Sequence, residues 1–279
     1  GGGRKRIPDC KKTDGTRRNR RSGCLQENGQ MEVRKMDKKI YVVGMGPGSL
    51  QDMTIRARQA LEDCQVIAGY TVYVDLIREL FPDKEFLTTP MKQETKRCRM
   101  ALEQADQGKT TAMVCSGDAG VYGMAGLILE LLPEFPQVSV EVVPGVTAAL
   151  SGGALLGAPL THDFAVISLS DLLTPVETIE KRLRFAAQGD FSICIYNPSS
   201  KKRAGYLKWA CKILMEYQSP ETVCGMVRQI GREGQAVEMM TLKELQNAEA
   251  DMFTTVFVGN SATRQVMGRM VTPRGYKDV

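Results

Sequence analysis

The chain has 279 residues, of which 43% are hydrophobic and 25% are charged, and this composition excludes a wholly disordered protein. Its net charge of +5 would suit an anionic partner such as nucleic acid. Residues 1–38 contain 12 Lys and Arg against 5 Asp and Glu, whereas the remaining residues contain 25 against 27. The body of the chain is therefore close to neutral, and we expect no nucleic-acid partner.

Residues 1–38 form a basic head without apolar periodicity, which predicts a disordered segment. The head has neither the hydrophobic stretch of a secretory signal nor the pattern of a transit peptide. The chain does not begin with Met, so a fragment, a fusion remnant and a start at Met31 or Met36 are the alternatives.

From Lys39 onward, short apolar runs alternate with amphipathic segments, and this alternation predicts an α/β unit with a mostly parallel sheet. Strands are predicted at 40–43, 66–68, 85–88, 111–115 and 138–143, and helices at 53–63, 71–80 and 92–107. The helix after the fourth strand is predicted to bury one face, made of Val121, Met124, Ala125, Ile128, Leu129 and Leu132.

Glu141 and His162 bracket twenty uncharged residues, a length that raises the question of a membrane span. Pro144, Pro159 and four glycines interrupt this stretch, so it is better explained by a strand end, a turn and a small-residue helix. We therefore expect no membrane partner.

Beyond Pro159 the pattern changes, and a domain boundary is predicted at 157–162, dividing residues 39–158 from residues 162–279. Strands are predicted at 164–169, 191–196, 222–228, 235–240 and 253–258, and helices near 175–187, 202–216 and 241–247. The short spacing of the last strands predicts that part of this second sheet is antiparallel.

The eight cysteines form no C-x-x-C pair and His162 is the only histidine, so no metal site of the usual spacing is predicted. Cys115, Cys194 and Cys224 lie in apolar strand-like runs, where a thiol packs as a small core residue. We expect reduced thiols in a cytoplasmic protein. An iron–sulfur cluster built from scattered cysteines stays open as an alternative.

A glycine-rich loop, Gly44-Met-Gly-Pro-Gly-Ser49, follows the first predicted strand and suits close approach of the backbone to a ligand. Its spacing departs from the dinucleotide pattern, and the second strand is not followed by the acidic residue that would hold a ribose. No Lys follows, as a phosphate-binding Walker loop requires. A tight structural turn remains the alternative.

Two further loops follow strands and precede helices. In Ser116-Gly-Asp-Ala-Gly-Val-Tyr-Gly123, Asp118 is a candidate helix cap; in Pro144-Gly-Val-Thr-Ala-Ala149, Thr147 is a candidate cap or hydroxyl donor. Because carboxyl ends of parallel strands meet at one edge of a sheet, the three loops are expected to line one crevice.

Taken together, the three loops resemble those of the tetrapyrrole methylase family over about residues 39–275. The resemblance implies a two-domain α/β fold, with a mostly parallel N-terminal sheet and a mixed C-terminal sheet enclosing S-adenosylmethionine in the cleft between them, and a homodimer. It also implies a set of cofactor-binding residues: Gly46, Pro47, Gly48, Ser116, Gly117, Asp118, Val121, Thr147, Ala148, Tyr196, Met226 and Gln229.

Segments 161–175, 196–203 and 227–235 are similar to the precorrin-3B C17-methyltransferase branch, although Thr161 and Val176 depart from its pattern. The branch implies methylation of a tetrapyrrole at C17 with ring contraction, on the way to cobalamin. Methylation at C11 or C20, the ribosomal RNA and diphthine methyltransferases of the same fold, and a non-catalytic binding module are the alternatives.

Such a substrate is polyanionic, and bidentate Arg or point-charge Lys side chains suit its carboxylates. The candidates are Lys201, Lys202, Arg203, Arg228 and Arg232, with a solvated basic face as the alternative. Histidine is the side-chain type that most readily transfers protons near neutral pH, so His162, beside Asp163, forms the candidate acid–base pair, with a structural linker histidine as the alternative.

Overall fold

A computed structural model describes residues 38–200 and 203–277. The prediction of a disordered head concerns residues 1–38 and, apart from Lys38, lies outside the described residues.

The first sheet has five strands, all parallel, which confirms the prediction of a mostly parallel sheet, and their order is β3-β2-β4-β1-β5. Its strands are β1 (Lys39–Gly44), β2 (Val66–Tyr70), β3 (Glu85–Thr89), β4 (Thr111–Cys115) and β5 (Ser139–Val143). Strands β1 and β4 are buried on both faces, which is why they have continuous apolar sequences in place of alternating ones.

Four helices cover this sheet: α1 (Ile55–Asp63), α2 (Thr71–Asp75), α3 (Glu94–Asp106) and α4 (Ala125–Leu131). Residues of α1 and α2 pack into one buried cluster with the sheet, and residues of α3 and α4 pack into another. The Thr54 hydroxyl accepts a hydrogen bond from the Ala57 amide (3.0 Å), which fixes the start of α1.

The predicted extent of the helix after β4 is wrong. Val121 and Met124 precede α4, and Leu129 is half exposed while Leu131 is buried in its place. The physical reason lies in segment 116–124, which winds around the Asp118 carboxylate and includes Tyr122 at φ 53°. The backbone is therefore not helical until Ala125.

Other predicted bounds differ in smaller ways. The helix predicted at 71–80 ends at Asp75 and is followed by a separate 3-10 turn, and the helix predicted at 202–216 is observed from Tyr206.

The chain leaves the first sheet through α5 (Ala148–Leu156) and the two-residue strand β6 (Gly157–Ala158). The second sheet follows, with β7 (Phe164–Ser168), β8 (Ser192–Tyr196), β9 (Val223–Arg228), β10 (Ala236–Thr241) and β11 (Thr254–Val258) in the order β10-β9-β11-β8-β7. Only the β7–β8 pair is parallel, so the prediction of a mixed sheet is confirmed.

The small-residue helix α5 packs against the second sheet, although it follows the last strand of the first. A side chain at Gly152 would collide with the ring of Phe257 on β11, so the helix needs a glycine at this contact. Ala149 and Leu156 share a buried cluster with Cys194, Val227 and Phe257. The other face of the sheet is covered by α6 (Val176–Gln188), α7 (Tyr206–Leu214) and α8 (Leu242–Leu245).

A third, small sheet was not predicted. It joins β12 (Arg264–Val266) and β13 (Arg269–Val271) to β6 in the order β12-β13-β6. Strands of two and three residues have no periodicity that sequence reasoning can detect. Through this sheet, the chain after β11 returns to the predicted boundary at 157–162.

Candidate active site

The three glycine-containing loops meet at the carboxyl edge of the first sheet, as the sequence predicts. Gly46 and Gly117 exchange backbone hydrogen bonds of 3.0 and 2.7 Å, which join the loop after β1 to the loop after β4. The Met45 amide also donates to the Cys115 carbonyl (2.9 Å). The first two loops therefore form one continuous floor.

Gly145 brings the third loop onto this floor. A Cβ atom at this position would overlap the carbonyl oxygens of Gly117 and Gly44. No other residue type fits such a contact without moving the neighbouring backbone. The Pro144-Gly145 turn is thus required for the three loops to meet.

Asp118 ties the second loop to the third. Its Oδ1 accepts from the amides of Gly120 (2.8 Å) and Val121 (3.2 Å), and its Oδ2 accepts from the amide of Gly145 (2.9 Å). The prediction that Asp118 caps the following helix is wrong, because α4 begins seven residues later and has no side-chain cap. Its carboxylate stabilises the loops.

Tyr196, at the end of β8, connects the second sheet to the third loop. Its hydroxyl lies 2.6 Å from the Thr147 hydroxyl and accepts from the Ala149 amide (2.6 Å) at the start of α5. Thr147 occupies the cap position of α5, but its own side chain makes no cap bond, so the Tyr196 hydroxyl supplies the acceptor. Burial raises the pKa of Tyr196, which keeps the phenol neutral.

Tyr122, in the loop after β4, makes a second connection, this time from the first sheet to the second. Its hydroxyl donates to the Val166 carbonyl (3.2 Å) and accepts from the Ser168 amide (3.2 Å) on β7. Strand β7 is an edge strand, so this side chain satisfies backbone groups that have no neighbouring strand. The Tyr122 and Tyr196 rings lie 5.6 Å apart.

Arg232, in the turn after β9, makes a third connection. Its Nε donates to the Pro47 carbonyl (3.1 Å) and one terminal nitrogen donates to the Ser116 hydroxyl (3.1 Å). The guanidinium lies 5.7 Å from the ring centre of Tyr73 and 5.4 Å from that of Phe253. Burial lowers the pKa of Arg232 from its ordinary value.

A cavity of about 180 Å³ lies between the two sheets at these connections. It is lined by eight residues that the resemblance assigns to cofactor binding: Pro47, Ser116, Gly117, Val121, Thr147, Ala148, Tyr196 and Gln229. Arg232, assigned to the substrate, lines the same cavity.

Four assigned cofactor residues do not line the cavity. Gly46 is paired with Gly117 beneath it, and Gly48 lies where its missing side chain leaves space for Arg232. The Asp118 carboxylate accepts hydrogen bonds from three backbone amides. Met226 is buried against the helices on the far face of the second sheet. These residues support the site without facing it.

Sequence reasoning missed part of the lining. Tyr122 and Asn197 stand inside motifs that were singled out, and their positive φ angles (53° and 51°) mark them as unusual. Gln229, which was assigned, has a similar backbone (φ 49°). Strained backbone at three cavity residues is typical of a functional site. Ile230 lies within the singled-out segment 227–235, and the remaining missed residues come together through topology alone: Tyr73, Met252, Phe253, Thr254 and Thr255.

Of the other predicted cations, Arg203 and Arg228 do not line the cavity. Arg203 donates to the Leu169 carbonyl (3.2 Å) and the Ser200 hydroxyl (3.1 Å), and lies 3.8 Å from Asp171. Arg228 donates to the Glu249 carbonyl (2.9 Å). These contacts hold loops within the chain. Lys201 and Lys202 lie outside the described residues.

His162 and Asp163, the predicted acid–base pair, do not line this cavity. Both precede β7, whereas the cavity is at the far end, where Ser168 pairs with Tyr196. A five-residue strand spans about 16 Å. The His162 ring accepts a hydrogen bond from the Asp163 amide (2.9 Å), and both residues line a separate cavity of about 320 Å³ together with Asp190 and Arg274.

Cys64, Cys98, Cys115, Cys194, Cys211 and Cys224 are buried free thiols. Burial raises the pKa of Cys115 to about 11, which keeps it protonated. Within residues 38–200 and 203–277, no group of three or more His, Cys, Asp and Glu side chains is placed to hold a metal ion. None of the helices described there is long and apolar enough to cross a membrane.

The fold and the loops belong to one class of proteins: the family model for Tetrapyrrole (Corrin/Porphyrin) Methylases matches residues 39–246, and the chain is a member of this family. Among solved structures, the methyltransferase CobJ matches with a TM-score of 0.79 at 39% identity, over 84% of this chain and 99% of that one. A uroporphyrin-III C-methyltransferase from Thermus thermophilus, complexed with S-adenosylhomocysteine, matches with a TM-score of 0.65 at 25% identity, over 79% of this chain and 97% of that one.

Curated relatives narrow the class. The chain is 47% identical over 247 residues to a cobalt-factor III methyltransferase of Priestia megaterium, covering 87% of this chain but only 46% of that protein. It is 44% identical over 238 residues to a probable cobalt-factor III C(17)-methyltransferase of Salmonella typhimurium, covering 85% of this chain and 99% of that protein.

Proposed function

We propose that this protein transfers a methyl group from S-adenosylmethionine to C17 of a precorrin-3B or cobalt-factor III macrocycle, with ring contraction, in cobalamin biosynthesis. The observation that carries the proposal is the cavity itself, where three glycine-containing loops of the first sheet face Tyr196 and Arg232 of the second. The C17 position and the cobalt-factor III macrocycle come from the names of the relatives, and precorrin-3B and ring contraction come from the family resemblance.

The residues of the cavity fit the methyl donor. Gly117 brings its backbone to the cavity with no side chain in the way, so a flat adenine or a ribose can lie against the loop. Ser116, Thr147 and Asn197 offer hydroxyl and amide groups for ribose hydroxyls. Tyr73 and Phe253 supply aromatic walls.

The chemistry needs positioning above all. The donor supplies an electrophilic methyl group that a ring carbon attacks in line, leaving a neutral thioether. Among the described residues, the cavity lining contains no His, Asp or Glu, so it offers contacts that orient and enclose the reactants. Orientation of two reactants in a water-poor cleft is itself a large rate factor.

The test is incubation of the full chain with S-adenosylmethionine and either precorrin-3B or cobalt-factor III, followed by mass spectrometry. We expect one added methyl group per macrocycle and a change in the absorbance spectrum from ring contraction. If the transferred methyl group carries carbon-13 and NMR of the product locates it at C11 or C20, the C17 assignment is contradicted. Binding of the donor without any methylated product would favour a non-catalytic module.

We also propose a homodimer in the cytoplasm. The family resemblance supports the dimer. Among the described residues, β5 pairs with β1 alone, so one edge of the first sheet is open there, and Val142 is exposed. Six free thiols support a reducing compartment. Light scattering after size-exclusion chromatography should give a mass near twice that of the chain, and a monomer mass would contradict this proposal.

A further inference from the structure

Arg232 is a cation in the wall of the cavity, and its surroundings are unusual for a guanidinium. It is partly buried, and no carboxylate of residues 38–200 or 203–277 lies within ion-pair distance of it. The other described arginines near the second sheet's loops, Arg203 and Arg228, each have an acidic neighbour within 4 Å. A partly buried charge without a counter-charge is costly to maintain.

The chain makes space for this guanidinium. A Cβ atom at Gly48 would lie 2.6 Å from Cγ and 2.7 Å from Nε of Arg232, so any other residue there would displace it. The rings of Tyr73 and Phe253 flank the charged group. Its two hydrogen bonds, to the Pro47 carbonyl and the Ser116 hydroxyl, use only part of its five-donor fork.

The hydrogen-bond partners of Arg232 show which side of the cleft its guanidinium faces. Pro47 and Ser116 belong to the first two loops of the first sheet, which form the floor of the proposed donor site. The donor has a single carboxylate, at its amino-acid end, and a positively charged sulfur several bonds away. A guanidinium attracts the carboxylate and repels the positively charged sulfur. It therefore also determines which end of the donor lies beside Arg232.

We propose that Arg232 binds the amino-acid carboxylate of S-adenosylmethionine and so orients the donor in the cleft; this inference rests on the proposed function. The acidic arms of the macrocycle then bind elsewhere, and the expectation that Arg232 binds them is replaced. Arg232 is a donor-orienting residue that comes from the turn between β9 and β10 of the second sheet and acts on a ligand held by the loops of the first.

The test uses two ligands that differ by one group. S-adenosylhomocysteine has the carboxylate, and S-adenosyl-3-thiopropylamine is the same molecule without it. Calorimetry on the wild type and on Arg232→Met gives four affinities. We expect the substitution to lower the affinity for S-adenosylhomocysteine about 10- to 100-fold. We expect it to change the affinity for the decarboxylated ligand less than about threefold.

Two further variants complete the design. Arg232→Lys keeps the charge without the planar fork and should give an intermediate loss. Arg58→Met is the matched control, because Arg58 is an exposed residue of α1 paired with Glu62, and it should leave both affinities unchanged. Circular dichroism checks that each variant is folded.

The outcomes separate the possible roles of Arg232. Equal weakening of both ligands in Arg232→Met would show that Arg232 only maintains the shape of the cleft, and would overturn the inference. Unchanged donor affinity with a raised KM for the tetrapyrrole would assign the guanidinium to the macrocycle and would also overturn it. If the wild type binds neither ligand, the donor site itself fails, and the inference fails with it.

Discussion

At the scale of single residues, Asp118 shows how a motif can be correct while the role given to one member is wrong. An acidic residue between a strand and a helix is a common cap. In this chain, the glycines around Asp118 let the backbone turn back, and the carboxylate accepts three amides from two loops. A long-range contact with Gly145 has no signature in the local sequence.

Asp118→Ala is therefore expected to lower the free energy of unfolding by about 2 kcal/mol, because three amides lose their acceptor. The measurement is urea unfolding at neutral pH. Asp83→Ala, at an exposed position, is the control and should change the stability by less than about 0.5 kcal/mol. A loss no greater than that of the control would show that water replaces the carboxylate at the amides.

His162 gives the complementary case. The only histidine of a chain attracts a catalytic assignment because histidine as a residue type is a common proton-transfer group near neutral pH. It precedes the first residue of β7, whereas the cavity lies at the last, so His162 lies away from the cavity of its own chain. The direction of β7 determines where His162 lies relative to the cavity, and this cannot be inferred from composition.

At the scale of elements, the three strand–loop–helix units share one rule and differ in one detail. Each loop stands at the carboxyl end of a parallel strand, where ligands of α/β sheets bind. The third unit differs because its helix, α5, packs on the second sheet. The glycines and alanines of α5, which suggested only a small-residue helix, permit this close packing.

Gly145→Ala should disrupt the junction of the loops, because the added Cβ overlaps two carbonyl oxygens. We expect a loss of stability of about 2 to 3 kcal/mol and weaker binding of S-adenosylhomocysteine, measured by thermal unfolding and calorimetry. Gly126→Ala is the matched control, since a Cβ there meets no atom within 4 Å and alanine suits the helix α4. The control should gain about 0.5 to 1 kcal/mol, and equal effects of the two variants would contradict this account.

At the scale of the whole molecule, the cleft is spanned by Tyr122, Tyr196 and Arg232, each of which extends from one sheet to groups held by the other. In two of the three connections, a tyrosine hydroxyl forms hydrogen bonds with backbone groups. The tyrosines and the arginine therefore both shape the cavity and couple the sheets on either side of it.

Tyr196→Phe keeps the ring and removes the hydroxyl that contacts Thr147 and Ala149. We expect a loss of about 1 to 2 kcal/mol in unfolding free energy, because the Ala149 amide loses its acceptor. Binding of S-adenosylhomocysteine should weaken as well, since Thr147 and Ala148 line the cavity. Tyr276→Phe, at an exposed position, is the control; if both variants bind and unfold like the wild type, the hydroxyl does not couple the sheets.

The sequence by itself determined the α/β class, the main strands of both sheets and the three loops that form the floor of the site. It could do so because apolar periodicity and glycine spacing are local properties of the chain. Only the tertiary structure decided that Asp118 bridges loops, that Met226 is core, that His162 lies away from the cleft and that Arg232 lies within it. Those outcomes depend on strand direction and on contacts between residues far apart in sequence, as between Pro47 and Arg232, which no local pattern records.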